Sequence, residues 1–215
     1  MADVMRNTAE DAEARIVRIG DRAIDFETFL DLNVEYDMEL QNGVMVKKMA
    51  AQGEHEPLYT WLFTLLYLFT KQKKLGVAGG SRTAVRIDEF HSRLPDLFFV
   101  RREHESFIQS RAVYGTPDLA VELVSPNDRP VAIFEVEADY RRIGVPEIMF
   151  IDQQKQRVRI LRKRRTEQDT DYTETILTEG ELAFETVPGF VLQVQWLFAA
   201  VRPDELELIT ALLSA

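Results

Sequence analysis

The run Thr116-Pro117-Asp118-Leu119-Ala120-Val121-Glu122-Leu123-Val124-Ser125-Pro126 sets a carboxylate deep inside a segment that is otherwise Leu, Val and Ala. Apolar on both faces, it has the pattern of a central strand. Alternation of side chains along a strand puts Asp118, Ala120 and Glu122 on one face. A carboxylate buried there without a partner would take up a proton, so Glu122 calls for a cation, a cluster of donors or a metal. An arginine such as Arg86 or Arg129 is one such partner. A second acid opens another strand-like run, Leu94-Pro95-Asp96-Leu97-Phe98-Phe99-Val100, in which proline occupies the first position, where its missing donor does no harm. Alone, Asp96 is an ordinary turn residue. Two carboxylates on neighbouring strands suit Mg²⁺ or Mn²⁺, hard cations that accept one or two protein carboxylates with water and phosphate oxygens completing the shell. Glu39 is a candidate third acid. His55, at the start of a long helical pattern, is either a further polar group of that site or an ordinary histidine at a helix N-terminus.

These residues need elements to hold them. Phe26, Phe29 and Leu30 recur at helical spacing, and Asn42-Gly43 between two short β-like runs marks a hairpin over about Tyr36–Met49, with Glu39 on its first strand. From His55 to about Leu75, Leu58, Leu62, Leu65, Leu66 and Phe69 form an apolar helical stripe widened by Trp61, Phe63 and Tyr67. Strands are expected at Thr83–Ile87, Asp96–Val100, Asp118–Val124, Glu147–Ile151, Arg157–Leu161 and Asp171–Leu177. A helix fits Val131–Ile143, stopped by Gly144 and Pro146. The segments Trp196–Phe198 and Pro203–Leu213 read as short helices over a sheet edge. The fold class is therefore α/β, mixed α+β: a mixed central sheet flanked by helices, with an N-terminal β-hairpin. The expected organisation is a flexible N-terminal arm over 1–24, one domain over 25–199 and a C-terminal helix over 200–215.

Composition narrows the chemistry. The chain of 215 residues contains no cysteine and three histidines, His55, His91 and His104. Disulfide scaffolds and cysteine zinc sites are excluded, and a metal would rest on oxygen ligands. Thirty-six acidic against 26 basic residues give a formal charge of −10, which argues against a protein that coats nucleic acid or anionic lipid. The most apolar stretch, Pro57–Phe69, is shorter than the ~20 residues a membrane span needs and runs into Lys71, Lys73 and Lys74. No membrane partner and a cytoplasmic location are expected. The densest basic cluster, Arg157–Arg165, reads first as an exposed edge strand and second as a phosphate contact.

The succession Met38-Glu39-Leu40, Asn42-Gly43, His55, Leu94-Pro95-Asp96-Leu97, Pro117-Asp118-Leu119-Ala120-Val121-Glu122-Leu123-Val124-Ser125-Pro126-Asn127-Asp128-Arg129, Tyr140, Gly144-Val145-Pro146-Glu147 and Phe150-Ile151-Asp152 resembles the Uma-two family of restriction endonucleases, within the PD-(D/E)XK nuclease superfamily. The likeness runs from about Phe26 to Phe198. It implies a restriction-endonuclease-like core in which Asp96 and Glu122 hold Mg²⁺ or Mn²⁺, Glu39 assists, and DNA is cut by phosphodiester hydrolysis; a homodimer would suit cleavage of both strands. The family pattern also implies a lysine. Its two expected positions carry Val124 and Val136 here. Arg129 is the substitute closest to the pattern, with Lys47 and Lys48 on the hairpin as others. The alternative is a weakened nuclease fold that serves as a binding or assembly module.

Overall fold

A computed structural model describes residues 16–17, 22–32, 38–48, 55–80, 82–125, 128–164 and 171–214. Most of the expected N-terminal arm, together with Pro126, Asn127 and Arg165, lies outside the described residues. In chain order the elements are β1 (Ile16–Val17), α1 (Phe26–Asp31), β2 (Met38–Gln41), β3 (Val44–Lys47), α2 (His55–Gln72), β4 (Gly76–Gly80), β5 (Ala84–Asp88), β6 (His91–Arg93), β7 (Leu97–Arg101), a 3₁₀ turn (Arg102–Phe107), β8 (Ala112–Val113), β9 (Leu119–Val124), α3 (Pro130–Ile143), β10 (Glu147–Asp152), β11 (Arg157–Lys163), β12 (Tyr172–Leu177), β13 (Glu181–Ala183), β14 (Val191–Gln193), α4 (Val194–Phe198) and α5 (Glu205–Ser214).

The central sheet has six strands in the order β12-β11-β10-β9-β7-β4. Only β9 and β10 run parallel, joined by the α3 crossover, and the other neighbours are antiparallel. Alternation along each strand sorts its side chains between two cores. Leu97, Phe99, Leu119, Val121, Leu123, Met149 and Ile151 pack under α2. Phe98, Val100, Ala120, Ile148 and Phe150 pack on the other face, where α3 contributes Tyr140. Glu122 shares the parity of Ala120 and so belongs to the α3 side, as period-two reasoning requires. The hairpin pairs through Asn42 and Gly43, both at positive φ (52° and 74°), the turn conformation that Asn-Gly supplies most readily. Together with β1 it forms a separate three-stranded sheet, β1-β3-β2, over a third core of Phe26, Phe29, Met38, Leu40 and Met45.

Several expectations need correction. The arginine-rich strand β11 is interior, because β12 pairs along its outer side. Its cations are consumed within the protein: Arg159 pairs with Glu137 and Glu174, Arg162 with Glu147 and Glu185, and Arg157 with Asp152. Buried Glu137, Glu147 and Asp152 explain why arginines line this strand. The C-terminal helix α5 packs against α2 rather than a sheet edge, with Trp61 Nε1 donating to Pro203 O at 2.9 Å. The glycine-rich strand β4 lacks the β-branched and aromatic residues that announce a strand, and only the structure reveals it. No helix among the described residues is long and apolar enough to cross a membrane.

Glu147 is 1% exposed and depends on Arg162, whose Nε donates to its Oε1 at 2.9 Å, although Thr186 also donates to it. Arg162→Ala is expected to cost about 2 kcal/mol, since truncation leaves a buried carboxylate short of its cation. Thermal unfolding checks this: a fall in Tm of about 4–8 °C is expected for a chain of this size, beside a nearly neutral Lys163→Ala at the exposed end of the same strand.

Candidate active site

β7 and β9 pair antiparallel up to Leu97↔Val121. Carried one step further, the same register sets Asp96 opposite Glu122, on one face. The next step would ask Pro95 to pair with Leu123, and proline has no N–H to give. There the Leu123 amide leaves the ladder and donates to the Asp96 side chain at Oδ2 (2.7 Å). The ladder therefore ends by fixing a carboxylate beside Glu122, an arrangement of like charges that is unfavourable unless a cation joins it.

That cation is Lys48, the residue that follows β3. Its Nζ lies 2.8 Å from Asp96 Oδ1 and 3.6 Å from Glu122 Oε2, and it donates to Leu94 O at 2.7 Å. The side chain keeps 32% of its surface open, against 10% for Asp96 and 15% for Glu122, so the ammonium closes the mouth of a small acidic cleft. From the α3 side Tyr140 Oη donates to Glu122 Oε1 at 2.5 Å. On the opposite flank His55, the first residue of α2, sits with Nε2 3.4 Å from Asp96 Oδ2.

Proton affinities separate sharply in this cluster. Burial pushes the Glu122 carboxyl up to about 8 against the pull of Lys48, and the charge of Asp96 adds to the rise. Asp96 moves the other way, to about 2: burial opposes its ionisation, but the Lys48 charge and the His55 hydrogen bond outweigh it. Two close carboxylates split in this manner when the first to ionise disfavours the second. Burial works against the Lys48 ammonium too, yet Glu122, Asp96 and Glu39 hold it above the ordinary lysine value. His55 is likewise raised, its partial burial overcome by the bond to Asp96.

Of the residues singled out in the sequence, Asp96 and Glu122 converge. Glu39 stands one contact away: it accepts from the Leu94 amide (3.1 Å) and from Arg93 Nη1 (2.9 Å), which fixes the strand whose Leu94 carbonyl anchors Lys48. Arg129 is exposed at the N-cap of α3, in extended conformation, and forms no ion pair with Asp96 or Glu122. The helix does not reach back far enough to carry it on the Val136 face. Arg86 also stays away, directed to Asp88 O and stacked over Phe26. Asp118, on the same face as Glu122, serves a different end, accepting from the Arg101 amide and approaching His104. Val124 and Val136 pack against the second core. Lys48 and Tyr140 complete the cleft; the sequence signal for Lys48 was only its place after the hairpin, and for Tyr140 its place in a helix.

Among the described residues, no group of three or more His, Asp or Glu is arranged to hold a metal ion. Two oxygen ligands from Asp96 and Glu122 are nevertheless a donor set that Mg²⁺ or Mn²⁺ accepts, provided water or substrate oxygens supply the rest.

A family model described as "Putative restriction endonuclease" matches residues 25–195. The chain belongs to the Uma2 family. No curated protein matches it. Among solved structures, a crystal structure of a "putative nuclease belonging to DUF820" from Anabaena variabilis is similar, with a TM-score of 0.67 at 17% identity, over 81% of this chain and 97% of that one. At that identity the likeness shows the fold, a nuclease-type core. Within this Uma2 member, then, the ammonium beside Asp96 and Glu122 comes from Lys48, next to the hairpin, while β9 and α3 place Val124 and Val136 in the second core.

With divalent ions removed by a chelator, the raised Glu122 makes the folded chain bind more protons than the unfolded one between its ordinary carboxyl range and about pH 8. Its contribution to stability is therefore present at low pH and lost as pH rises through that window. Asp96 has the opposite sign, its contribution being lost as pH falls from 3.8 toward 2. Glu122→Gln should remove the first loss and keep the second. Melting curves from pH 5 to 9 check this: Tm of the wild type should fall relative to the variant as pH rises, and a relative increase would refute the assignment.

Proposed function

We propose that this chain is a metal-dependent DNA endonuclease that hydrolyses phosphodiester bonds at the Asp96–Glu122–Lys48 cleft. The observation that carries the reading is the convergence of two carboxylates from paired strands on one lysine ammonium. Asp96 and Glu122 would hold Mg²⁺ or Mn²⁺. Such an ion, when bound, supplies a Lewis acid for the phosphoryl oxygens and a lowered pKa for attacking water.

The chain's own groups have definable parts. Lys48 keeps its proton and so acts as a positive contact for phosphate oxygen or for a hydroxide nucleophile, not as a general base. Tyr140, held protonated by burial and by the Glu122 charge, orients the Glu122 carboxyl by donating to one oxygen and leaving the other toward Lys48. His55 steadies Asp96 from α2. Glu39 is a positioning residue acting through Leu94 and Arg93. Arg129, exposed beside the segment that follows β9, would contribute charge to a bound phosphate. Cutting both strands of a duplex suits two copies related by a two-fold axis, so a homodimer on DNA is part of the proposal. A cytoplasmic location accords with the absence of cysteine. The alternative of a weakened binding module drew on Val124, Val136 and the charge of −10; Lys48 answers the first two by bringing an ammonium to the cleft, and the charge still speaks for it.

Plasmid nicking with Mg²⁺ or Mn²⁺ tests the proposal. Wild type should convert supercoiled DNA, and Glu122→Ala or Lys48→Ala should lower the rate by about 10²-fold or more, the usual size for removing one preorganised charge contact. Unchanged cleavage in Glu122→Ala would overturn it. Because Val136 lies one turn before Tyr140, Lys48→Ala combined with Val136→Lys should regain part of the lost rate by delivering an ammonium from α3. Calorimetry should show saturable heat with Mn²⁺ that Asp96→Ala abolishes.

A further inference from the structure

At the far end of α2 from the catalytic cleft, a surface pocket of about 400 Å³ is lined by Tyr67, Lys71, Lys74, Val77 and Arg102, with Glu105 as its one acid. Backbone geometry gathers these cations. Lys74 turns the chain out of α2 with φ 56°, the Leu75 amide closes back on Thr70 O, and the Arg102 amide donates to Leu75 O at 2.9 Å. Gly76 pairs with Arg101, which brings the start of β4 beside the end of β7. Among the described residues none of Lys71, Lys74 and Arg102 forms an ion pair, and all three are exposed. Elsewhere in the fold Arg93, Arg141, Arg142, Arg157, Arg159 and Arg162 are each matched to a carboxylate. In a chain of charge −10, three unmatched cations around one acid make a local positive site.

A track connects this pocket to the cleft. Tyr59, Phe63 and Tyr67 recur every four residues along α2 and their rings stack in series, at 5.6 Å and 8° and then 5.8 Å and 25°. His55 stands one turn before Tyr59 and touches Asp96, while Lys71 stands one turn beyond Tyr67, 5.2 Å above its ring. Tyr67 and Val77 are 39% and 40% exposed. At 1.5 Å per residue, His55 to Lys71 spans about 24 Å, close to seven steps of a nucleic-acid strand at 3.4 Å each.

We infer that the Lys71–Lys74–Arg102 pocket is a phosphate-contact site that grips the backbone of a DNA strand about seven nucleotides from the scissile bond, along the aromatic face of α2. Charge complementarity selects the occupant: three cations against one carboxylate favour an anionic backbone, and of the stacked rings Tyr67, the exposed one, offers an apolar edge beside the cations, Tyr59 and Phe63 being packed against the core. The inference rests on the proposal that DNA enters the cleft.

The test measures binding and cleavage separately. Fluorescence anisotropy in chelator, with labelled 24-nucleotide single strands and 24-base-pair duplexes, compares wild-type protein, the exposed-cation control Lys163→Ala, the triple variant Lys71→Ala, Lys74→Ala, Arg102→Ala, and Lys71→Arg with Lys74→Arg. All the altered side chains of the pocket are exposed, and circular dichroism checks that the variants are folded. The triple variant should bind at least tenfold more weakly, with a salt-dependence slope smaller by about 2–3, while Lys163→Ala and the arginine variant bind like wild type. A larger loss on single strands than on duplexes would identify the phosphates of an unpaired strand as the ligand, and an equal loss would identify duplex phosphate. Wild-type affinity in the triple variant overturns the pocket even if the protein cleaves plasmid. Retained binding without cleavage overturns the catalytic reading and leaves the pocket standing. Absence of DNA binding by the wild type overturns both.

Discussion

The cleft exists because a single ammonium separates two carboxylates that the sheet would otherwise force together. Asp96 and Glu122 face each other across β7 and β9, and the strand register gives neither a way to withdraw. Lys48 resolves the conflict while keeping both acids at the surface of the cleft. This is an unequal settlement: Asp96 keeps its charge and Glu122 resists ionisation, so the cleft has one firm anion, one reluctant one and one firm cation. Such a balance responds strongly to any further positive charge that arrives.

The elements around the cleft are tied to one another by a second buried network. Arg93 bonds Glu39 on the hairpin and Asp139 on α3, and His91 and Arg142 also meet Asp139. The residue after Asp139 is Tyr140, which reaches Glu122. Hairpin, β6 and α3 are thereby held in a fixed relation, and the groups that meet at the cleft from three different layers inherit that rigidity. Ser92 adds a bond to the Leu40 amide across the same seam.

Much of this was legible in the sequence because local rules govern it. The Asn-Gly hairpin, the apolar stripe of α2, the β9 strand and the Gly144 stop, at φ 77°, all follow from periodicity and turn chemistry. Asp96 and Glu122 stood out because acids in apolar strands are costly. Lys48 was one of three candidate cations, after Arg129 and beside Lys47, and spacing could not choose among them, because a lysine's long stem lets its head group arrive from any neighbouring element. The interior position of β11 was hidden for a related reason. Its arginines look solvent-facing until the carboxylates of α3, β10 and β12 are brought opposite them, and those pairings are long-range. A strand such as β4, made mostly of glycine, is defined by the partner it lies against and has little signal of its own.

The placement of Lys48 has a consequence for dynamics. The lysine follows a short hairpin that belongs to a three-stranded sheet of its own with a small core, whereas both acids belong to the large central sheet. Regions with small cores open locally at lower free energy than the global unfolding of the chain. Lifting the hairpin would withdraw the ammonium and leave the paired acids intact, but it must also part the buried Glu39–Arg93 pair, so the completeness of the cleft is governed by that ion pair together with the hairpin's own small core.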